Sequence, residues 1–116
     1  MRIGVIGCGY VFDHYMATWA RHPKLELAGV ADRDAGRADT VARTYSVRHY
    51  ATNEEMLADP SIEIVANFTS IESHFEVIRA ALLAGKHVYS EKPLTTELDE
   101  ARALFDLAAE RVLVLS

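Results

Sequence analysis

The sequence has a single cysteine, Cys8, among its 116 residues. One thiol excludes an internal disulfide, so a reducing, cytoplasmic setting is the expectation. Five histidines, His14, His22, His49, His74 and His87, show no metal-ligand spacing with one another, and no metal site is expected. A basic stretch is also missing, and the formal net charge is −5. Contacts to a phosphate backbone need clustered Lys and Arg, which argues against nucleic acid as a partner. Apolar runs fall far short of the roughly 20 residues that a membrane span needs, so no membrane partner is expected. The stretch from Met1 to Ile6 mimics the start of a signal peptide, but Gly7 and Gly9 interrupt it and no small-residue cleavage site follows. No repeat, low-complexity tract or Pro/Gly/Ser-rich linker divides the chain. What remains is half hydrophobic and a quarter charged, the composition of one ordinary globular domain.

Along the chain, hydrophobic periodicity alternates between strand-like and helix-like. Strands are predicted at 2–6, 25–31, 48–50, 62–68, 87–90 and 112–115. Phe12, Tyr15, Met16 and Trp19 recur at helical spacing until Pro23. Asp34 caps a second predicted helix whose inner face is Ala38, Val41, Ala42 and Tyr45. Thr52 and Glu55 have capping-box spacing before a short helix through Leu57. A long helix over 73–84 ends at Gly85, a left-handed C-cap. Thr96 and Asp99 repeat the capping-box spacing before a last helix with Ala101, Leu104, Phe105 and Ala108 on its apolar face. Strands apolar on both faces, alternating with helices, predict a doubly wound parallel sheet of about six strands in three α/β/α layers, a Rossmann fold of order 3-2-1-4-5-6.

In such sheets ligands bind beyond the strand C-termini, where strand order reverses. Here that point lies between the first and fourth strands. Gly7-Cys8-Gly9 follows the first strand, where a tight turn brings backbone against a pyrophosphate at a helix N-terminus. Gly7, Gly9, Tyr10 and Val11 are therefore candidate cofactor contacts. Phe12 occupies the third glycine position of the dinucleotide fingerprint, and should displace the first helix or redirect its first turn. Asp32 ends the second strand 25 positions after Gly7, near the spacing of about 20 at which an acid meets the adenosine ribose. A carboxylate there binds both ribose hydroxyls and repels a 2′-phosphate, favouring NAD. The neighbouring guanidinium of Arg33 keeps NADP open. After the fourth strand, Thr69 and Ser70 offer hydroxyls and amides to the cofactor, although Ser70 and Ser73 serve equally well as turn and N-cap residues. The fifth strand ends in Ser90-Glu91-Lys92-Pro93, beside the expected nicotinamide end. A lysine placed there can shuttle a proton.

The runs Ile3-Gly4-Val5-Ile6-Gly7-Cys8-Gly9, Val30-Ala31-Asp32-Arg33 and Ala84-Gly85-Lys86-His87-Val88-Tyr89-Ser90-Glu91-Lys92-Pro93-Leu94 together resemble the N-terminal domain of the Gfo/Idh/MocA oxidoreductases. The last run is the most specific, and the likeness covers essentially the whole chain. The resemblance implies NAD(P)-dependent hydride transfer to or from a secondary alcohol of a sugar, inositol or related small substrate. Lys92 would handle the proton, Glu91 and Pro93 would lie near the nicotinamide, Thr69 would match the family's T-P-P segment, and His74 the histidine that follows it. Ser70-Ile71 departs from the proline pair.

Family members continue into a second domain that supplies substrate contacts and the oligomer interface. The expectation is thus a fragment, residues 1–116, that keeps the cofactor site and by itself lacks most catalysis. A different class of function, a non-catalytic dinucleotide sensor or regulatory module, stays open, with Lys92 favouring the enzyme. Cys8 lacks a partner base and is not taken as a nucleophile. Trp19 and Phe105 are assigned to the core.

Overall fold

The computed structural model describes residues 1–116 apart from Ala20 and the side chain of Tyr10. Ten elements alternate along the chain: β1 (Arg2–Ile6), α1 (Tyr10–Trp19), β2 (Glu26–Ala31), α2 (Ala35–Tyr45), β3 (Arg48–His49), α3 (Asn53–Leu57), β4 (Ile64–Asn67), α4 (Ile71–Leu83), β5 (His87–Ser90) and α5 (Leu98–Glu110). The strands form one all-parallel sheet in the order β3-β2-β1-β4-β5. The order reverses between β1 and β4, as the alternation requires. Two apolar cores flank the sheet. Phe12 from α1 and Ala38 and Ala42 from α2 pack on one face with Val5 and Val30. Ile78 and Leu82 from α4 and Leu104 and Ala108 from α5 pack on the other with Val65 and Val88. Burial on both faces explains why β1 and β4 read as unbroken apolar runs.

Local chemistry sets the element ends. The Asp34 carboxylate accepts the Arg37 amide at 3.1 Å, and Thr52 Oγ1 accepts the Glu55 amide at 3.0 Å, so both expected N-caps form. Gly85 adopts φ +83°. The Lys86 amide donates to the Ala81 carbonyl and the Gly85 amide to the Leu82 carbonyl, each at 3.0 Å, closing a Schellman turn.

Four expectations need correction. The sixth strand is reduced to one parallel bridge between Val88 and Leu115, in which the Val88 amide donates to the Val114 carbonyl and the Ser116 amide to the Val88 carbonyl along the β5 edge. Val112 has φ +57°, which breaks the extended run at its start. Helix α5 begins at Leu98 behind Glu97, without a side-chain cap, so Thr96 is not its N-cap. Phe105 is 52% exposed and Tyr45 39% exposed, so neither belongs to the core. Phe12 is fully buried and meets the Tyr45 ring edge-on at 5.7 Å, filling the space between α1, α2 and the sheet.

Candidate cofactor site

A cleft of about 720 Å³ opens beyond the C-terminal ends of β1, β2 and β4. Gly7, Gly9, Val11, Asp32, Arg33, Thr69 and Ser70 all line it, so seven of the residues singled out in the sequence converge on one concavity. Side-chain placement of Tyr10 lies outside the described residues.

The turn after β1 is built around Gly7. Its φ is +100°, and a Cβ there would stand 2.6 Å from the Phe68 carbonyl carbon and oxygen and 2.8 Å from the Thr69 amide. Only glycine lets the β1 turn pass this close to the end of β4. Gly9 differs: a Cβ would meet only Arg37 Nη1, at 3.4 Å, so its open side belongs to the cleft rather than to the protein. The first α1 backbone bond runs from the Asp13 amide to the Gly9 carbonyl. Amides ahead of it have no partner within the helix, the arrangement at which helix N-termini accept anions.

Asp32 is fixed by backbone donors. Its Oδ2 accepts the Cys8 amide at 2.7 Å and its Oδ1 accepts the Asp34 amide at 2.8 Å. Each oxygen keeps a lone pair for a further donor. Arg37 Nη1 stands 3.9 Å from Oδ2 and lines the cleft beside Arg33. Burial, and then the Asp32 charge, pushes the Cys8 thiol up to about 12. Buried against the Ala31 carbonyl, Cys8 is packing, not a nucleophile.

The far wall is organised by Asn67, at the end of β4 and fully buried. Its Oδ1 accepts the Thr69 hydroxyl at 2.6 Å and the Thr69 amide at 3.2 Å, while Nδ2 donates to Ser90 Oγ at 3.1 Å. Thr69 thus spends its hydroxyl proton on Asn67 and faces the cleft as an acceptor. Ser70 is the α4 N-cap, without a side-chain cap bond. His74 is buried and does not line the cleft. Its ring bridges two carbonyls, Nε2 to Thr69 at 2.9 Å and Nδ1 to Pro93 at 2.8 Å. It therefore ties the loop after β4 to the loop after β5.

Glu91, Lys92 and Pro93 stand beyond the cleft lining, at the end of β5. The Glu91 amide donates to the Asn67 carbonyl at 3.1 Å. The Lys92–Pro93 peptide is cis, and the Lys92 side chain is exposed with no ion pair among the described residues. Asn67, Arg37 and Tyr15 were missed in the sequence. A polar residue ending the apolar run Ile64-Val65-Ala66 was a visible signal for Asn67. Arg37 looked like a surface helix residue, and Tyr15 was read only as an apolar helical position.

A glycine turn that needs its missing side chain, an amide-rich helix end and a rigidly held acid after β2 fit a dinucleotide. The chain is an NAD-binding Rossmann domain of the oxidoreductase class. A family model described as "Oxidoreductase family, NAD-binding Rossmann fold" matches residues 1–116, and the chain belongs to this Gfo/Idh/MocA family. It is similar to the UDP-N-acetylglucosamine 3-dehydrogenase of Acidithiobacillus ferrooxidans, with 38% identity over all of this chain and 36% of that protein. Its fold matches the crystal structure of GenD2 from gentamicin A biosynthesis, in complex with NAD, at TM-score 0.95 and 29% identity, covering 100% of this chain and 33% of that one. A variant of KijD10, a 3-ketoreductase from Actinomadura kijaniata in complex with TDP-benzene and NADP, matches at TM-score 0.93 and 33% identity, over 99% of this chain and 36% of that one. The chain thus spans about a third of the length of these relatives.

Proposed function

We propose that this chain is the cofactor-binding portion of a dehydrogenase or reductase that acts on a secondary alcohol, or the matching ketone, of a sugar or polyol. The observation that carries this reading is Asp32, whose two oxygens are pinned by backbone amides on the rim of the same cleft as the glycine turn. That arrangement suits a ribose diol, and the sugar-processing relatives favour the substrate class. Gly7, Gly9 and the start of α1 would hold the pyrophosphate, and Thr69 and Ser70 the opposite side. Bound there, the dinucleotide supplies a hydride acceptor or donor.

Lys92 is the proposed proton-handling group. As an alcohol is oxidised, its neutral amine takes the hydroxyl proton while the carbinol hydrogen leaves with its electron pair, giving a ketone. In reduction, the ammonium returns that proton to the carbonyl oxygen. Substrate contacts would come from protein beyond this domain, so the 116 residues alone bind cofactor and turn over little. The direct test titrates the chain with NADH and NADPH, following nicotinamide fluorescence. Saturable binding, tighter for NADH, is expected. Binding of neither would sink the reading. In a longer protein carrying this domain, Lys92→Ala should collapse turnover and spare cofactor affinity. Unchanged turnover would favour a non-catalytic sensor.

A further inference from the structure

Lys92 lies in a short segment that is held from both sides of the sheet. On the α4 side, His74 Nδ1 stands 2.8 Å from the Pro93 carbonyl. On the α1 side, the grip is a tyrosine. Tyr15 donates its hydroxyl proton to Glu91 Oε2 at 2.9 Å. Its oxygen also lies 2.8 Å from the Tyr89 hydroxyl. With the Tyr15 proton given to the carboxylate, Tyr89 must be the donor in that second bond.

The Tyr15 ring also stacks on Phe68, with centroids 4.7 Å apart and planes inclined by 15°. Phe68 lines the cleft, and its backbone crowds Gly7. One partly buried side chain therefore touches both the cleft wall at the end of β4 and the segment after β5. Among the described residues, Glu91 has no other side-chain partner, so without Tyr15 its carboxylate would turn to water. The bond with Tyr89, burial and the Glu91 carboxylate all raise the Tyr15 pKa, which keeps the hydroxyl a donor across the working pH range.

We propose that Tyr15 is a positioning residue for the Glu91-Lys92-Pro93 segment, acting through the Glu91 carboxylate while its ring braces the Phe68 wall. The proposal rests on the reading of Lys92 given above. It assigns α1 a second task, since the helix that would receive the pyrophosphate at its N-terminus would also steady the segment at the nicotinamide end about one turn later. A proton-handling group misplaced by about 1 Å loses most of its advantage, so a tether at each end of this segment has a chemical use.

Tyr15→Phe tests the idea because it deletes the hydroxyl and keeps the stacked ring. Amide heteronuclear NOEs of the 116-residue chain report order at Glu91 and Lys92. These should fall in Tyr15→Phe and in Glu91→Leu, while Cys8 and Asp34 hold their values. Glu91→Gln still accepts from Tyr15 and should keep the Lys92 NOE. In parallel, the affinity for NADH relative to ADP-ribose, which lacks the nicotinamide, should drop about tenfold to a hundredfold in Tyr15→Phe, the share of one hydrogen bond to a charged group. An unchanged Lys92 NOE in both Tyr15→Phe and Glu91→Leu overturns the proposal. So does an equal loss of NADH and ADP-ribose affinity, which would mark Tyr15 as general scaffolding. If the unaltered chain binds neither ligand, the cofactor reading fails by itself, and the NOE comparison still decides the role of Tyr15.

Discussion

Replacing Gly7 by alanine puts a methyl carbon 2.6 Å from the Phe68 carbonyl group and 2.8 Å from the Thr69 amide, at φ +100°. A side chain in that backbone region costs about 1–2 kcal/mol. The clash is with backbone, which cannot rotate away, and overpacking of this kind costs about 1–3 kcal/mol more. The sum, about 2–5 kcal/mol, is a large share of the roughly 5–15 kcal/mol that holds a domain folded. Urea unfolding should show a midpoint lower by about 1–3 M with the slope unchanged. Gly9→Ala is the matched control. Its methyl meets only the tip of Arg37, at 3.4 Å, so stability should move by less than about 0.5 kcal/mol. The same methyl projects toward the cleft, so NADH affinity should fall by about tenfold or more. The reverse pattern, with Gly7→Ala harmless to folding and Gly9→Ala severe, would refute the assignment of one glycine to the fold and the other to the ligand.

Asp32→Ala removes the acceptor for the Cys8 and Asp34 amides, and should destabilise by about 1–3 kcal/mol in urea melts while raising NADPH affinity relative to NADH. No shift in that ratio would count against the ribose role. The Asp59 carboxylate accepts from Tyr50 and Ser61, which hold its pKa far below the ordinary 3.8. A depressed folded-state value contributes stability above the unfolded value that is lost as pH falls below it. The gap in urea midpoint between the natural chain and Asp59→Asn should thus be full at pH 7 and shrink below pH 3.8. A gap independent of pH would contradict this. The Cys8 thiol, raised to about 12, should resist an aromatic disulfide reagent at pH 8 until the chain is unfolded. Rapid labelling of the folded chain would show the turn to be open.

Much of the fold is legible in the sequence where the signal is local. Asp34, Thr52 and Gly85 each satisfy backbone groups a few residues away, so their spacing alone identifies them. The 96–115 region misleads because its outcome is set by tertiary contacts. Thr96 has the spacing of a cap, yet its helix starts two residues later, and Val112 turns left-handed just where an extended run was expected. Periodicity also cannot say how wide a buried stripe is. Tyr45 and Phe105 fall at its margins and stay exposed. In the site, the residues at strand ends were readable because parallel topology brings those ends together. The bridging roles of Asn67, Tyr15 and His74 were not, because each acts by joining segments that are distant in sequence. The Tyr15–Glu91 bond spans 76 positions, a separation that no local pattern encodes.

The double grip on Asp32 bears on how such a site can change its cofactor. Its carboxylate is a joint as well as the proposed selector, since one oxygen fastens the β1 turn and the other the start of α2. A lineage drifting toward NADP could not simply delete the acid, because two amides would lose their acceptor at once. Replacement by serine or asparagine leaves one side-chain oxygen, enough to hold one of the two loops. A compensating change near Cys8 or Asp34 would have to accompany the exchange. Arg33 and Arg37 already supply the positive charge that such a lineage would need, so at this rim the mechanical adjustment, not the charge, is the slower step to acquire.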